Sequence, residues 1–184
     1  MDLGNIRVPS AWRERVEVVI AMLMTYEIET RRLPVRCTAV VRGEMRRDEL
    51  PAWMAAALST VRDYLRKAGV ARTGPPFARY TFLGDVVAVE AGFPVAVEVA
   101  GDGLVEPSAL PGGPAAVTTH VGDYTSLPRA FHAVRVWLHD HGMAPASPHW
   151  ESYLTNPGAE PNPSRWRTEM VVPYRRALYV HRPN

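Results

Sequence analysis

The chain has 184 residues, 47% of them hydrophobic, which is enough for a packed core in one domain or two small modules and argues against disorder. Net charge is +2, Lys67 is the one lysine among 21 basic residues, and no basic run exceeds two, so no clustered nucleic-acid footprint is visible. A single cysteine, Cys37, excludes an internal disulfide and a Cys-x-x-Cys metal knuckle, which fits a reducing cytoplasm.

Residues 1–23 read as an extension that is dispensable for folding, and residues 24–184 as the domain. The apolar run VVIAMLM, residues 18–24, is far short of the ~20 residues of a membrane span. Glu14 and Glu17 stand where a secretion signal carries positive charge. From Met24, MTYEIETRRLPVRCTAVV reads as a strand. The first helix covers residues 48–69: Asp48 is its expected cap, Pro51 sits in the first turn, and Gly69 ends it. Leu50, Trp53, Ala57, Val61 and Leu65 give it one apolar stripe. Strands follow from Phe77 and Val86, then AGDGLVEPSALPGG, which reads as a linker rich in Gly and Pro. PAAVTTHVG is the next strand, and residues 126–142 the second helix, capped by Ser126 and stopped by Gly142. Strands at 149–155 and 166–172 flank a Pro-rich connection, 156–165.

The chain repeats itself. Both helices open with Leu-Pro. Phe77 and Trp150 fall eight residues after Gly69 and Gly142, and Tyr80 and Tyr153 fall eleven after them. Glu90 and Glu169 each precede a proline by four residues, and the second hairpin connection is longer by six. The unit is strand, helix, strand, strand, used twice, over about residues 24–100 and 112–180. The fold class is therefore α+β with a duplicated β-α-β-β unit.

Successive strand residues face opposite ways. Val87, Val89, Ala91 and Phe93 share the helix-covered face, which puts Glu90 on the other; Thr168, Met170 and Val172 do the same for Glu169. Glu151 shares a face with Tyr153, and Tyr80 with Phe82. The expectation is that Tyr80, Phe82, Tyr153, Glu90, Glu151 and Glu169 line the sheet face that the helices leave open, as an aromatic cleft. Trp166 belongs either to the core or to the mouth of that cleft.

GPPFARYTFLGDVVAVEAGFPV in the first half, with HVGDYTSLPRAFHAVRVWLHDHG, HWESYLTNP and WRTEMVVPY in the second, resembles the GyrI-like, or AraC-type effector-binding, domain family over about residues 25–180. The resemblance implies an antiparallel sheet curled into a partly open barrel, with two outer helices. It implies a small-molecule partner, often amphipathic, cationic and aromatic, held between the halves. It also implies a buried Glu on the last strand pair that meets the cation, here Glu169 in RTEMVVP, with Tyr153 as the aromatic of the preceding strand. Many relatives carry the domain behind a DNA-binding helix-turn-helix. Residues 1–23 are too few for one, so a stand-alone cytoplasmic binder is expected, without nucleic acid or membrane as partner.

A carboxylate among aromatic rings is a trap for cations: burial disfavours its charge until a cation compensates it, and each ring face adds ~0.5–2 kcal/mol. The competing reading of Glu169 is an ion pair with Arg167 or Arg79. His139 and His141 point about 200° apart on a helix, and neither HxxxH nor HExxH occurs, so no metal, haem or other cofactor is expected. GxSxG, Walker and GxGxxG motifs are absent. The main reading is capture of an amphipathic compound for sensing or sequestration. A second, implied by some members of the family, is hydrolysis of strained rings in DNA-alkylating natural products, with Glu169, Glu151 and Tyr153 as acid and base. A third is a gyrase-inhibitor-like protein-binding module.

Overall fold

The structure is a computed structural model that describes residues 26–146 and 148–177; the expectation for residues 1–23 lies outside them. Its elements run β1 (Glu29–Leu33), β2 (Arg36–Arg46), α1 (Leu50–Ala68), β3 (Phe77–Leu83), β4 (Val86–Pro94), β5 (Glu106–Leu110), β6 (Gly113–Val121), α2 (Leu127–Asp140), β7 (Met143–Pro145), β8 (Trp150–Tyr153) and β9 (Arg167–Arg176).

The helices start and stop for local reasons. Glu49, not Asp48, takes the N-cap position of α1, and its carboxylate accepts from the backbone N–H of Arg46. Gly69 closes α1 at φ 66°, a left-handed conformation that costs glycine little. Ahead of α2 a 3-10 turn, Tyr124–Ser126, is capped by Asp123, which accepts from the N–H groups of Thr125 and Ser126. Asp123 thus does the work expected of Ser126, one turn earlier.

The same connectivity appears twice. β4 pairs with β2 and β3, and β9 pairs with β6 and β8, all antiparallel. The halves meet where β3 pairs with β8, giving the order β1-β6-β9-β8-β3-β4-β2-β5, with β7 beside β9. The supposed linker is a correction to the sequence reading: residues 106–110 form β5 on the free side of β2. Pro107 fits there because β5 ends the strand order, where a missing N–H need not bond a further strand.

β1 and β2 are separated only by Pro34 and Val35, and β5 and β6 only by Pro111 and Gly112. The register continues across both gaps, from Leu33↔Gly113 to Arg36↔Leu110. The two ends of the strand order are thus one covalent ribbon, and the antiparallel sheet has to curl back on itself as a half-barrel. Val40, Phe77, Leu110, Val117, Trp150 and Val171 pack on the face away from the helices. On the helix face, α1 buries Ala57, Val61 and Leu65 against Val41, Val87, Val89 and Phe93. There α2 buries Leu127, Val134 and Leu138 against Ala116, Met170 and Val172. α1 rests mainly on β2 and β4, and α2 on β6, β7 and β9, so the central β3 and β8 lie between the strands that the two helices cover.

Candidate functional site

Cross-strand partners in a ladder project to the same face. Tyr80 pairs with Val89, and Tyr153 with Thr168, beside Met170 on the helix side of the sheet. Both tyrosines therefore lie on the helix face, not the face opposite to Val89 as their strand patterns alone suggested. Glu151, opposite Met170 and Ala78, joins them. Glu90 and Glu169, opposite Arg79 and Ser152, project the other way. The expected single cleft is thus divided between two faces.

On the helix face, over the β3–β8 seam, the hydroxyls of Tyr80 and Tyr153 lie 2.6 Å apart, and Tyr153 donates to the Glu151 carboxylate at 3.0 Å. A phenol has one proton, so Tyr153 gives its own to Glu151 and accepts that of Tyr80. Glu151 is buried and enters no ion pair among the described residues. Tyr124 meets Tyr153 edge-on at 5.5 Å and Trp166 at 4.7 Å. Trp166 is pinned by its indole N–H, which donates to the carbonyl of Glu160 within the Pro-rich connection, at 2.8 Å. At the other end Phe82 stacks beside Tyr80 at 6.2 Å, half-exposed, with the Arg47 guanidinium over its ring. His149 stacks on Phe131 of α2 at 4.0 Å and leans on Tyr80 at 6.3 Å.

Burial governs the charges here. It pushes the Glu151 carboxyl up to about 7, while the hydroxyls of Tyr153 and Tyr80 pull it back. It also raises Tyr80 and Tyr153 well above the usual phenol range, reinforced in both by Glu151 and in Tyr153 by Tyr80, while the hydrogen bond to Tyr153 pulls Tyr80 back. His149 is pushed down to about 4 by burial. Near neutral pH the site therefore holds one carboxyl poised between its two forms, proton-bearing phenols and a neutral imidazole. A cation entering it would supply the compensation that the protein does not.

The opposite face is already balanced. Glu90 accepts from Arg79 at 2.9 Å, from Arg42 at 3.2 Å and from Ser108 at 2.8 Å, and Arg42 also pairs with Glu106. A cavity of about 500 Å³ opens there, lined by Arg42, Glu44, Arg79, Thr81, Ala88 and Glu90 among others. Its guanidinium groups are taken up by Glu90, Glu106 and the Ala109 carbonyl. Glu169 pairs with Arg31 at 2.8 Å rather than with Arg167 or Arg79. The described residues contain no cluster of three metal-ligating side chains.

Sequence reasoning did not single out Tyr124, His149 or Phe131 as site residues. Tyr124 lies in the turn before α2, where no strand or helix period applies. For the tyrosines a signal was available: Gly84 and Asp85 form a two-residue hairpin, Gly84 at φ 67°, which fixes Leu83 opposite Val86 and hence Tyr80 opposite Val89.

The model of the GyrI-like small molecule binding domain matches residues 83–175, half of the chain, and the chain belongs to that family. Among solved structures, the crystal structure of the EcmrR C-terminal domain superposes with a TM-score of 0.73 at 19% identity, over 83% of this chain and 99% of that one. A hydrolase from Listeria innocua gives 0.57 at 14%, over 81% and 92%. A protein solved bound to tetraphenylphosphonium gives 0.57 at 10%, over 81% and 94%. At these identities the likeness is one of fold. No curated protein matches the sequence. The chain thus carries a small-molecule-binding domain related to effector-binding domains, and no helix among the described residues is long and apolar enough to cross a membrane.

Proposed function

We propose that the helix face over the β3–β8 seam forms a groove that captures an amphipathic aromatic cation, with Glu151 as counter-charge and Tyr80, Tyr153, Tyr124, Trp166 and Phe82 as its aromatic walls. The observation that carries this reading is Glu151 itself: a buried carboxylate, hydrogen-bonded through Tyr153, with no basic partner among the described residues. Such a group costs free energy when ionised in the empty site and recovers it when a cation arrives. Glu169, with its Arg31 partner already in place, offers no such gain. Membership of a small-molecule-binding family and a structural relative bound to tetraphenylphosphonium agree with this.

The test compares tetraphenylphosphonium with neutral triphenylphosphine oxide. Glu151→Gln keeps the shape and removes the charge, so cation binding should weaken by ~1–3 kcal/mol while the neutral compound changes little. Equal losses for both, or none for either, would remove Glu151 from the role. Glu169→Ala should leave the ratio of the two affinities as it is.

One observation favours a second reading, hydrolysis. Tyr153 keeps its proton beside a carboxyl that titrates near neutrality, so Glu151 could activate water while Tyr153 donates to a leaving group. A structural relative described as a hydrolase agrees with this. Conversion of more than one equivalent of a cyclopropane-bearing alkylating compound, abolished by Tyr153→Phe, would favour it over simple capture.

A further inference from the structure

We propose that the groove reads a second feature of its ligand besides positive charge, a hydrogen-bonding heteroatom, and that His149 is the residue that reads it. This rests on the reading of the groove as a cation site and narrows the class of compound from lipophilic cations in general to cations bearing an amine, amide or hydroxyl.

The inference starts from an imbalance. His149 is buried, and its ring makes no hydrogen bond to another described residue, although Glu151 and Tyr153, two and four residues further on in the chain, are bonded to each other. Stacking fixes the imidazole plane: Phe131 lies 4.0 Å away at an interplanar angle of 23°, and Tyr80 lies 6.3 Å away on the neighbouring strand β3. A ring held this way keeps its nitrogens in one direction, and they are not among the fully buried, unpartnered atoms of the described residues, which are the Thr38 and Thr168 hydroxyls. Burial keeps the ring neutral at physiological pH, so it offers one donor and one acceptor without repelling a cation held by Glu151. Tyr80 contacts both groups, through its hydroxyl the Tyr153–Glu151 chain and through its ring the imidazole, so one aromatic ligand lying along Tyr80 reaches the carboxylate and the imidazole together.

The test uses two aromatic cations: ethidium, with two aryl amines, and tetraphenylphosphonium, with no hydrogen-bonding group. His149→Phe preserves size and stacking and removes the nitrogens. It should weaken ethidium about fivefold or more, the scale of one hydrogen bond, and leave tetraphenylphosphonium within about twofold. Equal effects on both cations, or no effect on either, overturn the proposal. If His149→Phe fails to fold, the imidazole 15N resonances of the unaltered protein give the same answer. A tautomer or hydrogen-bond shift with ethidium and none with tetraphenylphosphonium supports the proposal, and the same response to both defeats it. Glu151→Gln keeps the two ideas apart: should it leave both cations unaffected, the cation site itself fails; should it weaken both while His149→Phe discriminates neither, only the role of His149 fails.

Discussion

Burial favours the neutral form of both Glu151 and His149, but from opposite sides, the carboxyl raised from 4.5 to about 7 and the imidazole lowered from 6.5 to about 4. Between pH 4.5 and 7 the folded protein holds a proton on Glu151 that the unfolded chain has lost, so this contribution is full at low pH and fades as pH rises. Between pH 4 and 6.5 the unfolded chain holds a proton on His149 that the folded protein lacks, so that contribution is full above the window and is lost as pH falls. Each spans on the order of 3 kcal/mol, and where the windows overlap they oppose each other. Glu151→Gln should therefore gain stability from about pH 4 to 6.5 and level off, and exceed the unaltered protein at pH 8. His149→Phe should lose stability from about pH 4.5 to 7. Urea midpoints across this range decide; three parallel profiles would mean that neither group titrates differently on folding. Binding follows the same carboxyl: below pH 7 a proton competes with the ligand, so affinity for tetraphenylphosphonium should fall about tenfold per pH unit, while triphenylphosphine oxide binding stays level.

At the scale of elements, close approach decides which positions admit no side chain. A Cβ on Gly92 of β4 would lie 1.9 Å from the carbonyl oxygen of Ala39 on β2, a backbone atom inside a nine-residue ladder. One on Gly43 would lie 2.7 Å from the ring of Trp53, a half-buried side chain of α1 that can shift. Gly92→Ala should thus cost ~3 kcal/mol or more and Gly43→Ala ~1–2, measured by thermal or urea unfolding; equal costs would mean that the ladder yields as easily as the indole. The helical stripes of α1 and α2 and the alternation of β2, β3, β4, β6, β8 and β9 were legible in the sequence, as were the duplicated offsets of Tyr80 with Tyr153 and of Glu90 with Glu169. The facing of one strand relative to the next was not drawn from it. That depends on register, and register is set by the turn: the Gly84-Asp85 hairpin carries it for β3 and β4, whereas the long connection from Leu154 to Trp166 carries none for β8 and β9. The misplacement of Glu90 and Glu169 beside the tyrosines follows from this gap. The strand at residues 106–110 was hidden for another reason, because its glycine and proline neighbours speak locally for a turn while its pairing with β2 is long-range.

In the whole molecule the halves are joined in two unequal ways. The ribbon of β1-β2 against β5-β6 carries ten paired positions from Glu29 to Val40 on a continuous register, whereas the β3–β8 seam carries three, Phe77↔Ser152, Ala78↔Glu151 and Arg79↔Trp150. The seam is the weaker joint, and the proposed site lies across it, taking Tyr80 and Phe82 from one half and Glu151 and Tyr153 from the other. A ligand that contacts both halves there adds its binding free energy to the seam and little to the ribbon. Local opening is governed by such local balances, so the two joints should respond differently. On saturation with tetraphenylphosphonium, amide hydrogen exchange should slow most at residues 77–80 and 150–153 and remain nearly unchanged at 29–33 and 106–110. Glu151→Gln, at the same ligand concentration, should lose most of that protection. Slowing confined to one half would place the ligand against a single copy of the unit. Slowing centred on residues 79, 90 and 42 would move it to the cavity on the opposite face. Either result would refute binding across the seam.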